Sequence, residues 1–472
     1  MWLRARRLLP VAVPVLVTAA LLALRIAADP PSGLTISRSP FTDEGWDVLN
    51  ARNLVVLGTW APDNWALHPV NLPFSLASVV SFELFGPGLV QARLVPVLAT
   101  VLTAGLLAWW MKDRWGPLAA LVTGLAFGCA TLVLGHGGTA LLEPLVTLLV
   151  VAGFVALTSG RGDGSALVAG LLLAAAIATK PSALLMTVGI LGAAILAGTG
   201  ARRVGLGIAA VAAWAAGAGL ALVLADPSAL DAARRIWAPI EWPAGIGEAW
   251  EALLDWPEES DSVAPLAWPL LVAGIIGLAT AWRRSSAARR RDVAVILGWF
   301  AVPVGVLLFA SYRPNRYLLP VLPALALLAG IGAARVIEML RAAPVRIVVA
   351  AAFVVLVAAP GVGAWAGWMV SGSSEIARAQ SEVAELVPAG AAIQGDLAPI
   401  LGMSTEARLI TSRPDDGING GDLYELAGVR WTVGAADEMP AWAALHPEAW
   451  SAREERLCFA LGAARVCLYE LP

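Results

Sequence analysis

Apolar runs of 18 or more residues recur along this chain of 472 residues. A helix of about 20 apolar residues is long enough to cross the hydrocarbon core of a bilayer. Hydrophobic residues make up 58% of the chain and charged residues only 14%, which is the balance expected when most of a chain lies in lipid. The sequence therefore predicts an all-α polytopic membrane protein.

Eleven segments fit a membrane span. The first follows the basic stretch Met1–Arg7, and its apolar run is too long for a signal peptide, so we expect an uncleaved first span. The stretch 71–85 is short and carries Pro73 near its start, which predicts an interfacial or re-entrant helix in the first outer loop instead of a twelfth span. The predicted spans are 8–27, 89–111, 117–134, 140–158, 165–179, 182–198, 204–224, 263–282, 293–311, 315–333 and 345–369.

Basic residues predict the orientation of these spans. If the N-terminus with Arg4, Arg6 and Arg7 is cytoplasmic, every connection on that side carries a basic residue, and 283–291 carries five arginines. Cytoplasmic loops are enriched in this way, and counting 71–85 as a span would reverse every later loop. The other side then receives 28–88, 135–139, 180–181, 225–262, 312–314 and the tail from 370.

The tail differs in composition from the rest. Its alternating short strands and helices predict a small extracytoplasmic α/β domain at 372–472, separate from a transmembrane domain at 1–371. The expected elements are helices at 374–387, 421–427 and 440–449, strands at 391–394, 407–410 and 429–433, and a hairpin at 456–470.

The hairpin brings two cysteines together. A two-residue turn at 462–463 pairs Cys458 with Cys467 on a non-hydrogen-bonded rung, where Cα atoms are about 4.5 Å apart. A disulfide tolerates about 4.4–6.8 Å, and an oxidising compartment would permit it. A disulfide and a pair of small buried thiols both fit this geometry.

Asp43 and Glu44 are acidic neighbours just past the first span. Inserting a charge at the centre of a membrane helix costs about 2.5–3.5 kcal/mol of free energy. A membrane protein therefore has few charges, and those outside its cytoplasmic loops are candidates for a catalytic role. The segment after them predicts an amphipathic helix on the outer surface of the bilayer. A simpler interpretation is that both carboxylates cap this helix and interact with its dipole.

Further charges are expected on the same outer side. Each has an ordinary explanation, since a lysine can snorkel, an arginine can anchor at headgroups and a glutamate can cap a helix. Together they run against the cytoplasmic bias of basic residues, so we expect them to meet in one pocket with Asp43. These residues are His68, Arg93, Glu143, Lys180, Arg313 and Arg316.

The ordered set of motifs resembles a known family. It is similar to the GT-C fold polyprenyl-phosphate-sugar glycosyltransferases, the superfamily of protein O-mannosyltransferases and lipid A aminoarabinose transferases. Two positions depart from the family pattern: Val70 stands where a second proline is frequent, and Glu143 where many relatives have Asp. The resemblance covers about 1–340 and is carried by Asp43-Glu44, His68-Pro69, Leu142-Glu143-Pro144-Leu145, Thr179-Lys180-Pro181 and Arg316-Tyr317-Leu318-Leu319-Pro320 with Pro323.

The resemblance implies inverting transfer of a sugar from a polyprenyl-phosphate donor to a hydroxyl of a glycan, lipid or protein acceptor, at a bacterial plasma membrane. It implies Asp43 as the base, with Glu44 beside it, and Glu143 or Tyr317 positioning the acceptor. The donor phosphate would need positive charge from Lys180, Arg316, Arg313, His68 and Arg93. No His/Cys cluster has metal-ligand spacing, although Asp43 and Glu143 could hold Mg²⁺ or Mn²⁺.

Two other classes fit the composition. A transporter or lipid flippase is also polytopic, but transporters place polar residues near the membrane midplane, whereas here they gather at one rim. The third interpretation is a non-catalytic assembly partner whose tail does the work. A net charge of −3 gives no argument for nucleic-acid binding.

Overall fold

The computed structural model describes residues 2–31, 43–60, 71–159, 162–225, 286–308, 314–412, 428–436, 439–461 and 464–472, with the single positions 275, 279 and 310. The chain divides into two compact units. The first unit comprises Met1–Ala23, Val97–Gly137 and Glu143–Gly367; the second comprises Leu24–Pro96, Gly138–Leu142 and Trp368–Pro472. The division into domains at 371/372 stays a prediction, and the second unit groups the tail with parts of the first outer loop.

The described residues are mostly helical. The helices are α1 Trp2–Ala23, α2 Asp43–Leu57, α3 Leu72–Phe85, α4 Leu89–Trp115, α5 Pro117–Gly128, α6 Thr131–His136, α7 Glu143–Ser159, α8 Asp163–Thr179, α9 Ala183–Leu196, α10 Ala201–Ala225, α11 Ala287–Leu307, α12 Leu322–Met339, α13 Ala343–Ser371, α14 Glu375–Leu386, α15 Ala398–Leu401, α16 Met439–Leu445 and α17 Pro447–Ser451.

Three of these helices, α4, α12 and α13, are long and apolar enough to cross a membrane by themselves. The predicted spans overlap helices throughout the described residues. The predicted span 263–282 lies outside the described residues except for positions 275 and 279. The total of eleven spans therefore stays a prediction.

Two predicted spans do not form a single continuous α-helix. The span 117–134 is interrupted, because α5 ends at Gly128 and Ala130 is extended before α6 begins. No proline marks this break; the Cys129 carbonyl packs so close to α13 that a Cβ at Gly361 would lie 1.7 Å from its oxygen. The span 315–333 opens with a short 3-10 turn, and α12 starts only at Leu322, with proline in its first turn.

Glycines allow close helix contacts in the first unit. A Cβ at Gly189 of α9 would lie 2.3 Å from the Gly298 carbonyl oxygen of α11. A Cβ at Gly170 of α8 would lie 2.5 Å from the Gly207 carbonyl oxygen of α10. Small residues at such crossings let membrane helices pack backbone to backbone, where dispersion contacts accumulate.

We expect Gly189→Ala to destabilise the protein by about 1–3 kcal/mol, because the added methyl meets a backbone that cannot move away cheaply. Gly192→Ala is the matched control on the same helix, since nothing lies within 4 Å of its Cβ position. The control should be neutral or slightly stabilising through helix propensity. Thermal unfolding of both variants in detergent measures the difference, and equal melting temperatures would contradict the packing argument.

The two ends of α7 differ in chemistry. Near its C-terminal end, Arg114 binds Asp292 at 2.5 Å and donates to the Thr158 carbonyl. Arg289 donates to the Arg114 carbonyl at 2.8 Å and lies over the Trp115 ring. These arginines come from connections predicted to be cytoplasmic, whereas Glu143 opens the other end of the helix. The segregation agrees with the predicted alternation of loops; the orientation of the termini stays a prediction.

The second unit contains the predicted α/β layer. Its five-stranded sheet has the order β2-β1-β3-β5-β4, in which β1 pairs parallel with β2 and β3, and the remaining pairs are antiparallel. The predicted helix 421–427 lies outside the described residues. The strands are β1 Ala392–Gln394, β2 Arg408–Ile410, β3 Trp431–Ala435, β4 Glu454–Leu461 and β5 Ala464–Glu470.

The final hairpin has the register predicted from a two-residue turn. Leu461 pairs with Ala464, and Cys458 pairs with Cys467. The two cysteines are joined in a disulfide, with their Cα atoms 4.2 Å apart. The bond links the two strands at one edge of the sheet.

Helix α3 exposes its apolar side chains. Leu72, Leu76, Val80 and Leu84 follow one another at four-residue spacing along an exposed stripe, and Phe85 is exposed beside them. Its serines face inward, where they are buried. An exposed apolar stripe suits lipid better than water, which fits the interfacial helix predicted for this segment.

Helix α2 is covered by protein over most of its length, so the predicted amphipathic face on lipid is wrong there. Nearly all of its residues from Glu44 to Asn53 are buried, polar ones included. They are covered by protein of the same unit: a Cβ at Gly45 would lie 2.3 Å from the Ile400 backbone nitrogen. The helical spacing of apolar residues did not reveal this, because the covering segment comes some 350 residues later in the chain.

Candidate active site

Glu143 is the centre of a charged cluster in the first unit. It is the first residue of α7, where Pro144 follows it and its carboxylate interacts favourably with the helix dipole. The side chain is only 2% exposed. A buried carboxylate is costly unless cations and hydrogen bonds compensate it.

Two cations from distant segments provide that compensation. Lys180 Nζ lies 2.6 Å from Glu143 Oε1, and Arg316 Nε lies 3.4 Å from the same oxygen. Helix α8 ends at Thr179, and Lys180 is extended because the residue before a proline avoids the helical conformation. Arg316 lies in the 3-10 turn Asn315–Leu318. Of the charges predicted to share one pocket with Asp43, these three lie together in the structure.

The cluster joins one carboxylate to two cationic side chains among the described residues. Both cationic side chains remain 17% exposed. Lys180 Nζ lies 4.6 Å from the centre of the Tyr317 ring, and the Arg316 guanidinium lies 5.9 Å from it. The Tyr317 ring face therefore adds cation–π contacts to the cluster. Glu143 Oε2 accepts no hydrogen bond within the part of the chain that the structure describes.

His136 also belongs to this cluster, although no role was predicted for it. It ends α6 and is fully buried. Burial and, to a smaller extent, the positive charge of Arg316 lower the pKa of His136 to about 4, against the opposing effect of Glu143. The imidazole is therefore neutral at pH 7. The sequence feature that could have identified His136 is its position shortly before Glu143, on the predicted outer side.

The second unit holds the other acid–cation pair. Arg93 Nε and Nη2 donate to the two oxygens of Glu44 at 2.8 and 2.6 Å. Arg93 Nη1 donates to the carbonyls of Ile26 and Ala28, and the Ala140 amide donates to Glu44 Oε1 at 2.7 Å. Both side chains are buried. These contacts favour a positioning role for Arg93 and Glu44 over phosphate binding by Arg93 and direct catalysis by Glu44.

Asp43 is the first residue of α2 and is partly buried beside this pair. It belongs to the second unit, whereas Lys180 and Arg316 belong to the first. That Asp43 meets the two cations in one pocket stays a prediction. His68 and Arg313 lie outside the described residues.

A divalent cation finds little support at Glu143. Among the described residues, one group of His, Cys, Asp or Glu side chains is close enough to share an ion, and it consists of Glu455, Cys458 and Cys467. Its two sulfurs are bonded to each other, so they do not fit as ligands. Glu143 already binds two cationic side chains that would repel a metal ion.

No family model matches the chain, and no curated protein matches its sequence. Solved structures do match it. ArnT from Cupriavidus metallidurans bound to undecaprenyl phosphate is 17% identical, with a TM-score of 0.60 over 98% of this chain and 97% of that one. The same protein in the apo state is 18% identical, with a TM-score of 0.61.

Two larger enzymes share the architecture. The archaeal oligosaccharyltransferase AglB from Archaeoglobus fulgidus is 10% identical, with a TM-score of 0.56 over 94% of this chain and 71% of that one. The mycobacterial arabinofuranosyltransferase AftD is 17% identical, with a TM-score of 0.56 over 98% of this chain and 40% of that one. These neighbours are glycosyltransferases of GT-C fold.

The chain has the GT-C fold. The match to ArnT covers nearly the whole of both chains, so the tail is included with the transmembrane region. The fold expectation from the sequence motifs, which reached only to about residue 340, is confirmed and extended. At this level of identity the likeness concerns the fold and not the substrate.

Proposed function

We propose that this protein is an integral membrane glycosyltransferase. It moves a sugar from a polyprenyl-phosphate donor to an acceptor hydroxyl outside the cytoplasm, with inversion at the anomeric carbon. The observation that carries the proposal is the GT-C fold shared over nearly the full length of ArnT, which was crystallised with undecaprenyl phosphate. The cluster at Glu143 supports it, because it brings two cationic side chains, Lys180 and Arg316, to one place, which suits a phosphate.

The donor phosphate is assigned to Lys180 and Arg316. A phosphate leaving group is already ionised at neutral pH, so it requires positive charge and no general acid. Lys180 reaches this place because Pro181 ends its helix, and Arg316 because Pro314 precedes a 3-10 turn instead of a helix. Glu143 keeps the two cations close together despite their mutual repulsion.

Asp43 is assigned as the base. The acceptor oxygen attacks the anomeric carbon on the face opposite the phosphate, and the bond from that carbon to the phosphate oxygen breaks. The electron pair leaves with the phosphate, and the proton of the acceptor hydroxyl passes to Asp43. Glu143, through its Oε2, and Tyr317 are proposed to orient the acceptor, which is a glycan, lipid or protein hydroxyl.

Purified protein in nanodiscs, supplied with a panel of polyprenyl-phosphate sugars and an acceptor extract, tests the proposal. We expect one donor to lose its sugar to an acceptor, with formation of free polyprenyl phosphate. A flippase would instead move the donor between leaflets of a liposome and leave its sugar attached. Translocation without transfer from any donor would overturn the enzyme assignment.

Replacement of Lys180 by Met should raise the KM for the donor roughly 10- to 100-fold, the range expected from losing a charged hydrogen bond of about 1.5–3 kcal/mol. The chain has a single other lysine, Lys112, which pairs with Asp113 and supplies a matched control. Lys112→Met should leave the KM unchanged. Equal donor KM values for Lys180→Met and wild type would remove Lys180 from the phosphate site.

A further inference from the structure

The C-terminal region of the second unit packs closely on the first turn of α2. The Ile400 backbone nitrogen would lie 2.3 Å, and the Pro399 carbonyl carbon 2.7 Å, from a Cβ placed at Gly45. Trp46 Nε1 donates to the Asp396 carbonyl at 3.1 Å. Gly45 is thus required for the close approach of the two backbones, two residues after Asp43, the residue assigned as the base.

Gln380 connects this contact to α4. It is buried on α14, donates through Nε2 to the Ile400 carbonyl at 2.6 Å, and accepts from the Leu89 amide at 3.3 Å. Leu89 begins α4, and Arg93 one turn later holds Glu44. The contacts close a ring that runs from α2 to α4, then to Gln380, then to Ile400, and back to Gly45.

Arg52 makes a second attachment two turns further along α2. It donates to the carbonyls of Met403 and Thr405 at 3.3 and 2.5 Å, and to Asn53 Oδ1 at 3.2 Å. Burial lowers the pKa of Arg52 to about 10. Within the described ranges no carboxylate pairs with Arg52. A buried guanidinium without a counter-charge is costly, so its three hydrogen bonds indicate the function of Arg52. It attaches α2 to the backbone at Met403 and Thr405.

We propose that the C-terminal region holds α2 in place so that Asp43 is positioned for proton transfer, with Gly45, Gln380 and Arg52 as positioning residues. The proposal rests on the proposed function. It assigns a role to residues 380–405, which lie beyond the part of the chain that the sequence motifs covered. Positioning matters here because a displacement of about 1 Å can cost a reaction 10²-fold.

Two full-length variants test the ring: Gly45→Ala, which wedges α2 away from Ile400, and Gln380→Leu, which removes both hydrogen bonds. We expect kcat to fall about 10- to 100-fold in each, with the donor KM within twofold of wild type, because the donor is held by Lys180 and Arg316. Amide exchange of 44–53 should accelerate by about tenfold or more. Gly164→Ala is the matched control, since nothing lies within 4 Å of its Cβ position.

The outcomes separate the two proposals. If the wild type transfers sugar and the folded variants have an unchanged kcat, the positioning role is overturned and the proposed function stands. A donor KM that rises in proportion to the loss of kcat/KM also overturns it, because α2 would then act in donor binding. Absence of transfer by the wild type overturns both. If Gly45→Ala does not fold, Gln380→Leu alone decides between these results.

Discussion

Asp43→Asn is expected to lower kcat about 10²- to 10⁴-fold while donor binding persists, because the amide cannot take the acceptor proton. The substitution keeps the size of the side chain and its ability to accept a hydrogen bond. It therefore tests proton transfer and not packing. Single-turnover transfer from a donor on which the wild type is active is the measurement, with donor binding followed separately.

Asp163→Asn is the matched control for this experiment. Asp163 is also the first residue of a helix, α8, and pairs on the surface with Arg202 at 2.8 Å. If Asp43 acted solely as a helix cap, both variants would have equally small effects. We expect the control to turn over like the wild type. Transfer by Asp43→Asn within a few-fold of wild type would exclude it as the base.

Arg93→Met is expected to destabilise the protein by about 3–5 kcal/mol, since it leaves the Glu44 carboxylate buried without its cation. The double variant Glu44→Gln with Arg93→Met should regain at least half of this loss, because no buried charge remains. Thermal unfolding of the full chain in detergent, for both single variants and the double variant, measures the coupling.

Arg378→Met provides the control for charge removal as such. Arg378 is exposed and pairs on its own helix with Glu375 and Glu382. Exposed pairs of this kind contribute little, so its melting temperature should match the wild type. If the stability loss of the double variant equals the sum of the losses of the two single variants, Glu44 and Arg93 are not coupled.

Local patterns predicted the elements well. The hairpin register and the Cys458–Cys467 pairing follow from a two-residue turn, which fixes every later rung. Helix α8 ends where Pro181 requires it. The convergence of Glu143, Lys180 and Arg316 followed from alternating loops, since each residue lies where a predicted span meets the same side.

Long-range contacts were not predictable from spacing. Arg93 was predicted to bind phosphate because it is a cation on the outer side. Its Nε and Nη2 instead bind Glu44, 49 residues away, and its Nη1 binds the carbonyls of Ile26 and Ala28. Helix α2 was predicted to lie on lipid, but Arg52 binds residues 351 and 353 positions later. Helical periodicity shows that a face is apolar and does not show what covers it.

The outward leucines of α3 have a practical consequence for every assay suggested above. Because Leu76 and Val80 are exposed and the serines of this helix are turned inward, we expect α3 to contact lipid, so replacing phospholipid by detergent should change its surroundings. The turnover rate should then depend on the acyl chain length and headgroup type of the surrounding amphiphile. Short-chain micelles should give the slowest rates. Reconstitution into native-thickness bilayers is accordingly the condition under which kinetic constants of variants compare cleanly.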